Sequence, residues 1–64
     1  MIEIDDQFIL PCGFMDEIFT VVGMRPFNKD IILDATSKDN NFNISINAKE
    51  IEPIGKEFHP TWKS

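Results

Sequence analysis

Apolar and polar residues alternate with a period of two along several stretches of the chain, which is the period of a β-strand with one buried face. The clearest case is the run 41–47 (NFNISIN), in which apolar side chains occupy every second position. The runs 17–24 (EIFTVVGM) and 30–35 (DIILDA) are rich in β-branched and aromatic residues and predict two further strands. The runs 1–4 (MIEI) and 7–10 (QFIL) predict the first two strands.

Turn-forming residues separate these runs. In the segment 24–29 (MRPFNK), Pro26 cannot donate a ladder hydrogen bond, so this segment is predicted to be the loop of a β-hairpin spanning residues 17–36. The segment 36–41 (TSKDNN) has the same turn character, because Asp and Asn tolerate left-handed backbone conformations. A second hairpin is therefore predicted to follow the first.

The segment 47–54 (NAKEIEPI) combines a capping residue with a proline. Asn47 is suited to cap a short helical turn, and Glu50 stands three residues later, as in a capping box. Pro53 prevents the turn from continuing as a helix. One turn of 3₁₀ helix is therefore predicted, followed by a short final strand at Pro53-Ile54.

Short strands at regular spacing predict an all-β sandwich or small barrel, since curling a small sheet buries its apolar face and removes exposed edges. The order of the pieces resembles the SH3-like small-barrel fold. The pieces that carry the resemblance are, in chain order, IDDQFIL (4–10), GFMDEIFTVVGM (13–24), DIILDA (30–35), NFNISI (41–46) and NAKEIEPI (47–54). The resemblance implies an SH3-like barrel of about five short antiparallel strands over residues 1–54, with a 3₁₀ turn before the last strand and a C-terminal tail over 55–64.

The resemblance implies a fold and no ligand. The aromatic cage of Tudor-type binders has no counterpart, because the chain contains no Tyr and Trp62 lies outside the matched region. The paired Trp-Pro groove of signalling SH3 domains is also absent. In size and composition the chain further resembles the small acidic proteins encoded by bacteriophages and prophages.

The aromatic residues divide by position. Phe8, Phe19 and Phe42 fall within strand patterns and are predicted to lie in the core. The others fall in turns or in the tail, where the pattern does not require burial: Phe14, Phe27, Phe58 and Trp62.

Composition limits the chemistry that the chain can perform. With 64 residues the protein is expected to be one domain of modest stability. Its single Cys, Cys12, and single His, His59, belong to no nucleophile or metal-ligand motif, so we expect no enzyme activity, no metal site and no cofactor. The free Cys, the acidic N-terminus without a basic leader and the shortness of the uncharged runs predict a cytoplasmic protein that does not enter membranes.

Charge is distributed unevenly. The net charge is −5, and residues 1–24 hold five acidic and no basic residues, whereas residues 25–64 are balanced. An acidic region favours a protein partner with a basic surface. We therefore expect a protein–protein interaction module, such as a phage or prophage modulator that inhibits a host protein by occlusion. The residues expected to bind the partner are Asp5, Asp6, Phe14, Asp16, Glu17 and Trp62.

Two alternatives belong to other functional classes. Arg25, Phe27 and Lys29 form a small basic and aromatic loop of the kind that binds single-stranded nucleic acid, although the acidic net charge does not favour this role. The second alternative is a structural subunit that forms a homo-oligomer by pairing an open strand edge with its own copy.

Overall fold

The computed structural model describes residues 1–62 and contains no α-helix in that range. It contains one 3₁₀ turn and a single mixed sheet of six strands in this range, with the spatial order β4-β3-β2-β1-β6-β5. The elements are β1 (Gln7–Cys12), β2 (Met15–Phe27), β3 (Asp30–Ser37), β4 (Asn43–Asn47), the 3₁₀ turn η1 (Ala48–Glu50), β5 (Ile51–Ile54) and β6 (Glu57–Pro60).

The predicted all-β class is confirmed, and so is the 3₁₀ turn before β5. Asn47 caps this turn, and its side-chain oxygen accepts a hydrogen bond of 3.0 Å from the Lys49 N–H. The described sheet differs from the prediction because it has six strands, its edges at β4 and β5 remain open, and β6 pairs parallel to β1.

One face of the sheet forms the core. Phe8 in β1, Val21 in β2 and Leu33 in β3 are fully buried, and the rings of Phe8 and Phe19 stack with their centroids 5.6 Å apart. A register shift between Val21 and Gly23 bends β2, as a β-bulge does. The bend helps the sheet curl over the buried side chains.

The N-terminal segment does not form the predicted first strand over residues 1–4. Ile2 is buried in the core, whereas Ile4 is exposed. The two side chains therefore do not share one face, as the alternation in the sequence predicted. Asp5 takes a left-handed conformation with a φ of 77°, and its N–H donates to the Val21 carbonyl at 2.8 Å. A turn therefore places Ile2 over the core and leads into β1.

The predicted tail over residues 55–64 contains a strand. Gly55 has a φ of 65° and reverses the chain, so that β6 returns beside β5 and then pairs with β1 at Phe58. Pro60 is fully buried. The sequence EFHP lacks a period of two, which is why the pattern gave no sign of this strand; residues 63–64 of the predicted tail lie outside the described residues.

Phe42 was expected in the core, and this prediction is wrong. Its side chain is 53% exposed. Phe42 directly precedes β4, which is an edge strand of the described sheet, so no further strand covers its ring. Phe8 and Phe19 are buried as expected, because their strands lie in the middle of the sheet.

Among residues 1–62, no helix has the length and apolar character that crossing a bilayer requires.

The buried ring of Phe8 should dominate stability. We expect Phe8→Ala to lower the free energy of unfolding by about 3–5 kcal/mol, since it removes the stack on Phe19 and leaves a cavity. The whole free energy of unfolding of a domain of this size is roughly 3–10 kcal/mol, so the variant should be largely unfolded near 37 °C. Urea unfolding followed by circular dichroism measures this.

The matched control is Phe27→Ala, the same change at an exposed ring. It should alter the free energy of unfolding by about 0.5 kcal/mol or less. Equal losses in the two variants would contradict the assignment of the core.

Candidate functional site

The tip of the β1–β2 hairpin is an apolar projection. The turn consists of Gly13 and Phe14, and Gly13 has a φ of 66°, where a Cβ would have no other atom within 4 Å. Phe14 is fully exposed and the neighbouring Met15 is largely exposed. Every residue from Pro11 to Asp16 is exposed, so the end of the hairpin stands clear of the core.

The acidic residues at this hairpin have different surroundings. Asp16 lies opposite Pro11, one residue behind Met15 on the exposed part of β2. Glu17 lies one residue further in, where its carboxylate accepts hydrogen bonds from the Ser37 hydroxyl at 2.7 Å and from the Asn40 side-chain amide at 2.9 Å. Glu17 therefore ties the β3–β4 turn to the base of the hairpin, a structural role that the sequence did not indicate.

Asp5 and Asp6 lie far from Asp16. They precede β1, whereas Asp16 faces the far end of β1 at Pro11, which places the two acidic groups roughly 17 Å apart along the strand. The Asp6 carboxylate accepts a hydrogen bond of 2.7 Å from the Glu3 N–H. The expected acidic surface is thus divided into two parts, and no group of three or more metal-binding side chains exists within the described range 1–62.

Trp62 follows β6 by two residues and is 54% exposed. The residue before it is fixed, because the Thr61 N–H donates to the Glu50 carbonyl at 2.8 Å. The backbone directly before Trp62 is therefore attached to η1.

The predicted loop over residues 24–29 is wrong for its first four residues: β2 extends to Phe27, and only Asn28 and Lys29 form the turn, because Pro26 is accommodated in the strand opposite Ile31. The Arg25 guanidinium donates to both carboxylate oxygens of Asp34, at 3.0 and 3.3 Å, and this ion pair lies on the outer face of the sheet. The Ser45 hydroxyl donates to the same carboxylate at 2.6 Å. Phe27 remains exposed, and Lys29 lies in the β2–β3 turn.

Asp34 has a perturbed acidity. Hydrogen bonds from Arg25 and then from Ser45 hold the pKa of the Asp34 carboxyl below its ordinary value, since they stabilise the charged form more than desolvation opposes it.

An apolar groove that the sequence pattern does not indicate lies between the start of β3, η1 and β5. The groove has a volume of about 370 Å³, and its apolar lining includes Met1, Met24, Ile31 and Pro53. Lys49 also lines it and forms an ion pair of 3.5 Å with Asp30. These residues come from distant parts of the chain, so only the curl of the sheet brings them together.

Comparison of the chain with protein-family models, with curated proteins and with solved structures gave no match.

The lowered pKa of Asp34 predicts a contribution to stability that depends on pH. The unfolded chain takes up a proton near pH 4, whereas the folded carboxyl does so only at lower pH. The contribution of Asp34 is therefore complete above about pH 4–5 and is lost as the pH falls through the folded pKa. Asp34→Asn should be less stable than the wild type at pH 7, and this difference should shrink as the pH falls through the lowered pKa of the folded Asp34 carboxyl.

Urea titrations of both proteins at several pH values measure the difference. Arg25→Gln removes the partner of the same ion pair and should reproduce the effect. Parallel pH profiles for the wild type and Asp34→Asn would contradict the assignment.

Proposed function

We propose that this protein is a protein-binding module that inserts the tip of its β1–β2 hairpin into an apolar pocket of a partner protein. The observation that carries the proposal is the complete exposure of Phe14 at the end of a projecting hairpin. A fully exposed ring adds almost nothing to folding, because it removes no apolar area from water in the monomer. Burying Phe14 in a partner would remove about 150–250 Å² of surface from water.

Met15 and Asp16 complete this candidate contact. Met15 adds a flexible apolar side chain beside the ring, which suits an adaptable surface. Asp16 places negative charge directly behind the apolar tip, and the net charge of −5 favours approach to a basic surface. The partner we propose therefore has an apolar pocket with a basic rim, and the module acts by occluding that site.

Trp62 is a second anchor in this proposal. Trp is enriched among the residues that contribute most to interfaces, and the contact between Thr61 and Glu50 fixes the chain directly before it. Asp5 and Asp6 contribute to the electrostatic attraction at a distance from the tip, and Glu17 contributes by positioning the hairpin.

The finer fold assignment and the biological setting belong to the same proposal. We take the curled sheet as a variant of the SH3-like small barrel, supported by the 3₁₀ turn that leads into β5. We also propose that the chain is non-enzymatic, cytoplasmic and phage- or prophage-encoded, with a host protein as its target; its small size and acidic composition support this setting.

The nucleic-acid alternative gains less support. Arg25 is the only arginine of the chain, and its guanidinium donates to Asp34, so this ion pair carries no net charge. Phe27 and Lys29 remain as its candidate contacts. The affinity experiment below includes nuclease treatment, which separates the two functions.

We expect Phe14→Ser to weaken capture of the partner strongly while leaving the fold intact. The tagged wild type is used to capture proteins from a bacterial lysate with and without nuclease, and mass spectrometry identifies what is retained. The wild type should retain a dominant protein after nuclease treatment, and Phe14→Ser should retain at least about tenfold less, as expected for loss of a central anchor.

Phe27→Ser is the matched control, because it makes the same change at another exposed ring, at the opposite end of β2. It should retain the partner. Retention that depends on nucleic acid and on Phe27, rather than on Phe14, would replace this proposal with the nucleic-acid alternative.

Charge near the tip should govern the association rate. Once a partner is identified, Asp16→Asn should lower the association rate constant at low salt and weaken its dependence on ionic strength. Glu52→Gln is the control on β5, since it removes one negative charge two strands away from β1. Stopped-flow measurements over a range of salt concentrations give the association rate constants of the two variants and the wild type. Equal effects from the two variants would mean that only the net charge matters.

A further inference from the structure

The two edges of the described sheet differ in their protection against pairing with another strand. The β5 edge (Ile51–Ile54) contains Glu52 and Pro53, two residue types that block strand addition. The β4 edge (Asn43–Asn47) contains no charged residue, no proline and no register shift against β3. The absence of charge extends over residues 40–48 in a chain that is 27% charged.

We propose that two copies of this chain pair antiparallel through their β4 edges, around a two-fold axis that passes between the two Ser45 residues. The proposal goes beyond binding through the hairpin tip and does not depend on it. A symmetric dimer needs a surface that is complementary to itself, because each residue meets its counterpart through the same two-fold axis.

The backbone of β4 offers the required hydrogen-bonding groups. The Ser37 N–H donates to the Phe42 carbonyl at 2.7 Å, so Phe42 turns its backbone towards β3. Hydrogen-bonded and non-hydrogen-bonded pairs alternate along an antiparallel ladder, so Ile44 and Ile46 do the same. The N–H and C=O groups of Asn43 and Ser45 and the N–H of Asn47 therefore point away from β3, whereas the Asn47 C=O accepts the first hydrogen bond of η1.

These outward groups match a two-fold axis at Ser45. In the proposed register Ser45 of one copy pairs with Ser45 of the other, and Asn43 pairs with Asn47 in both directions. The Ser45 pair gives two backbone hydrogen bonds, and each pair of Asn43 with Asn47 gives one, from the Asn47 N–H to the Asn43 C=O, so about four bonds cross the interface. A register shifted by one residue would align outward groups with inward ones.

The side chains show the same symmetry, because the sequence NISIN reads the same in both directions. On the outer face the two Ser45 side chains meet, and Asn43 meets Asn47. On the core face Ile44, which is half-buried in the monomer, meets Ile46 of the other copy. Opposing side chains in a sheet are close enough to contact one another, and these pairs bring apolar against apolar and neutral polar against neutral polar.

Phe42 extends the apolar row. It directly precedes β4, and continuing the same register beyond the ends of the two strands brings it towards the start of η1, at Ala48 of the other copy. A large exposed ring would thus lie beside a small side chain. The exposure of Phe42 in the monomer, which contradicted its predicted place in the core, has a physical reason in this arrangement.

The ionised groups near Ser45 do not oppose the pairing of two β4 edges. The nearest ionised groups that the structure connects to β4 are Arg25 and Asp34, and both contact Ser45 on the outer face. They form an ion pair with each other and together contribute no net charge at the axis.

Sedimentation equilibrium tests the oligomeric state. The wild type should move from the 7.4 kDa monomer towards twice that mass as its concentration rises from about 1 μM to about 1 mM. Ser45→Lys and Ser45→Glu should each stay monomeric over this range, since each places two like charges opposite one another at the axis. An equimolar mixture of the two variants should recover the dimer, because opposite charges then face each other.

The mixture serves as the folding control, since a misfolded variant would not recover the dimer. Glu52→Gln is the control for the other edge, because it changes the net charge by one unit, as Ser45→Lys does, and it should dimerise like the wild type. A wild type that stays monomeric throughout, a dimer that both Ser45 variants retain, or an open-ended series of larger species would each overturn the proposal.

Amide hydrogen exchange locates the interface. In the wild type the N–H groups of Ser45 and Asn47 should become protected as the concentration rises. The N–H groups along β5 should not change. Concentration-dependent protection of β5 in place of β4 would overturn the assignment of the edge.

Discussion

The fold depends on the burial of Phe8 in the middle of the sheet. Phe8 lies in β1, which pairs with β2 on one side and with β6 on the other. Its ring stacks on Phe19, and its backbone pairs with Phe58 of β6. A chain of 64 residues buries little surface and has no disulfide to constrain it. The few fully buried side chains therefore hold together strands that could not persist separately.

The pattern of the sequence was informative where a strand has one covered face. It placed Phe8 and Phe19 in the core, and it located the capped 3₁₀ turn because Asn47 and Pro53 act through local backbone chemistry. It was wrong about Phe42, because the period of two shows which side chains share a face and does not show where the sheet ends. It could not indicate β6, whose pairing with β1 depends on contacts between distant segments.

The candidate site was predictable to a similar extent. A phenylalanine directly after Gly13 was recognisable as a turn residue, and its exposure follows from that position. The tie from Glu17 to Ser37 was not, since it joins two hairpins whose relative placement the sequence does not specify. The division of the acidic residues into two groups has the same origin: separation along β1 becomes visible only once Asp16 is paired with Pro11.

The parallel pairing of β1 with β6 also has a kinetic consequence. Phe58 stands fifty residues after Phe8, so the centre of the sheet is completed by one of the longest chain closures that this sequence allows. Contacts between residues so far apart form late, because the entropy of closing the chain is lost before the contact stabilises anything. The hairpins β1–β2 and β2–β3 are local and are expected to assemble first. The rate of folding is then limited by the arrival of β6, and the β1 edge stays open to other strands until it arrives.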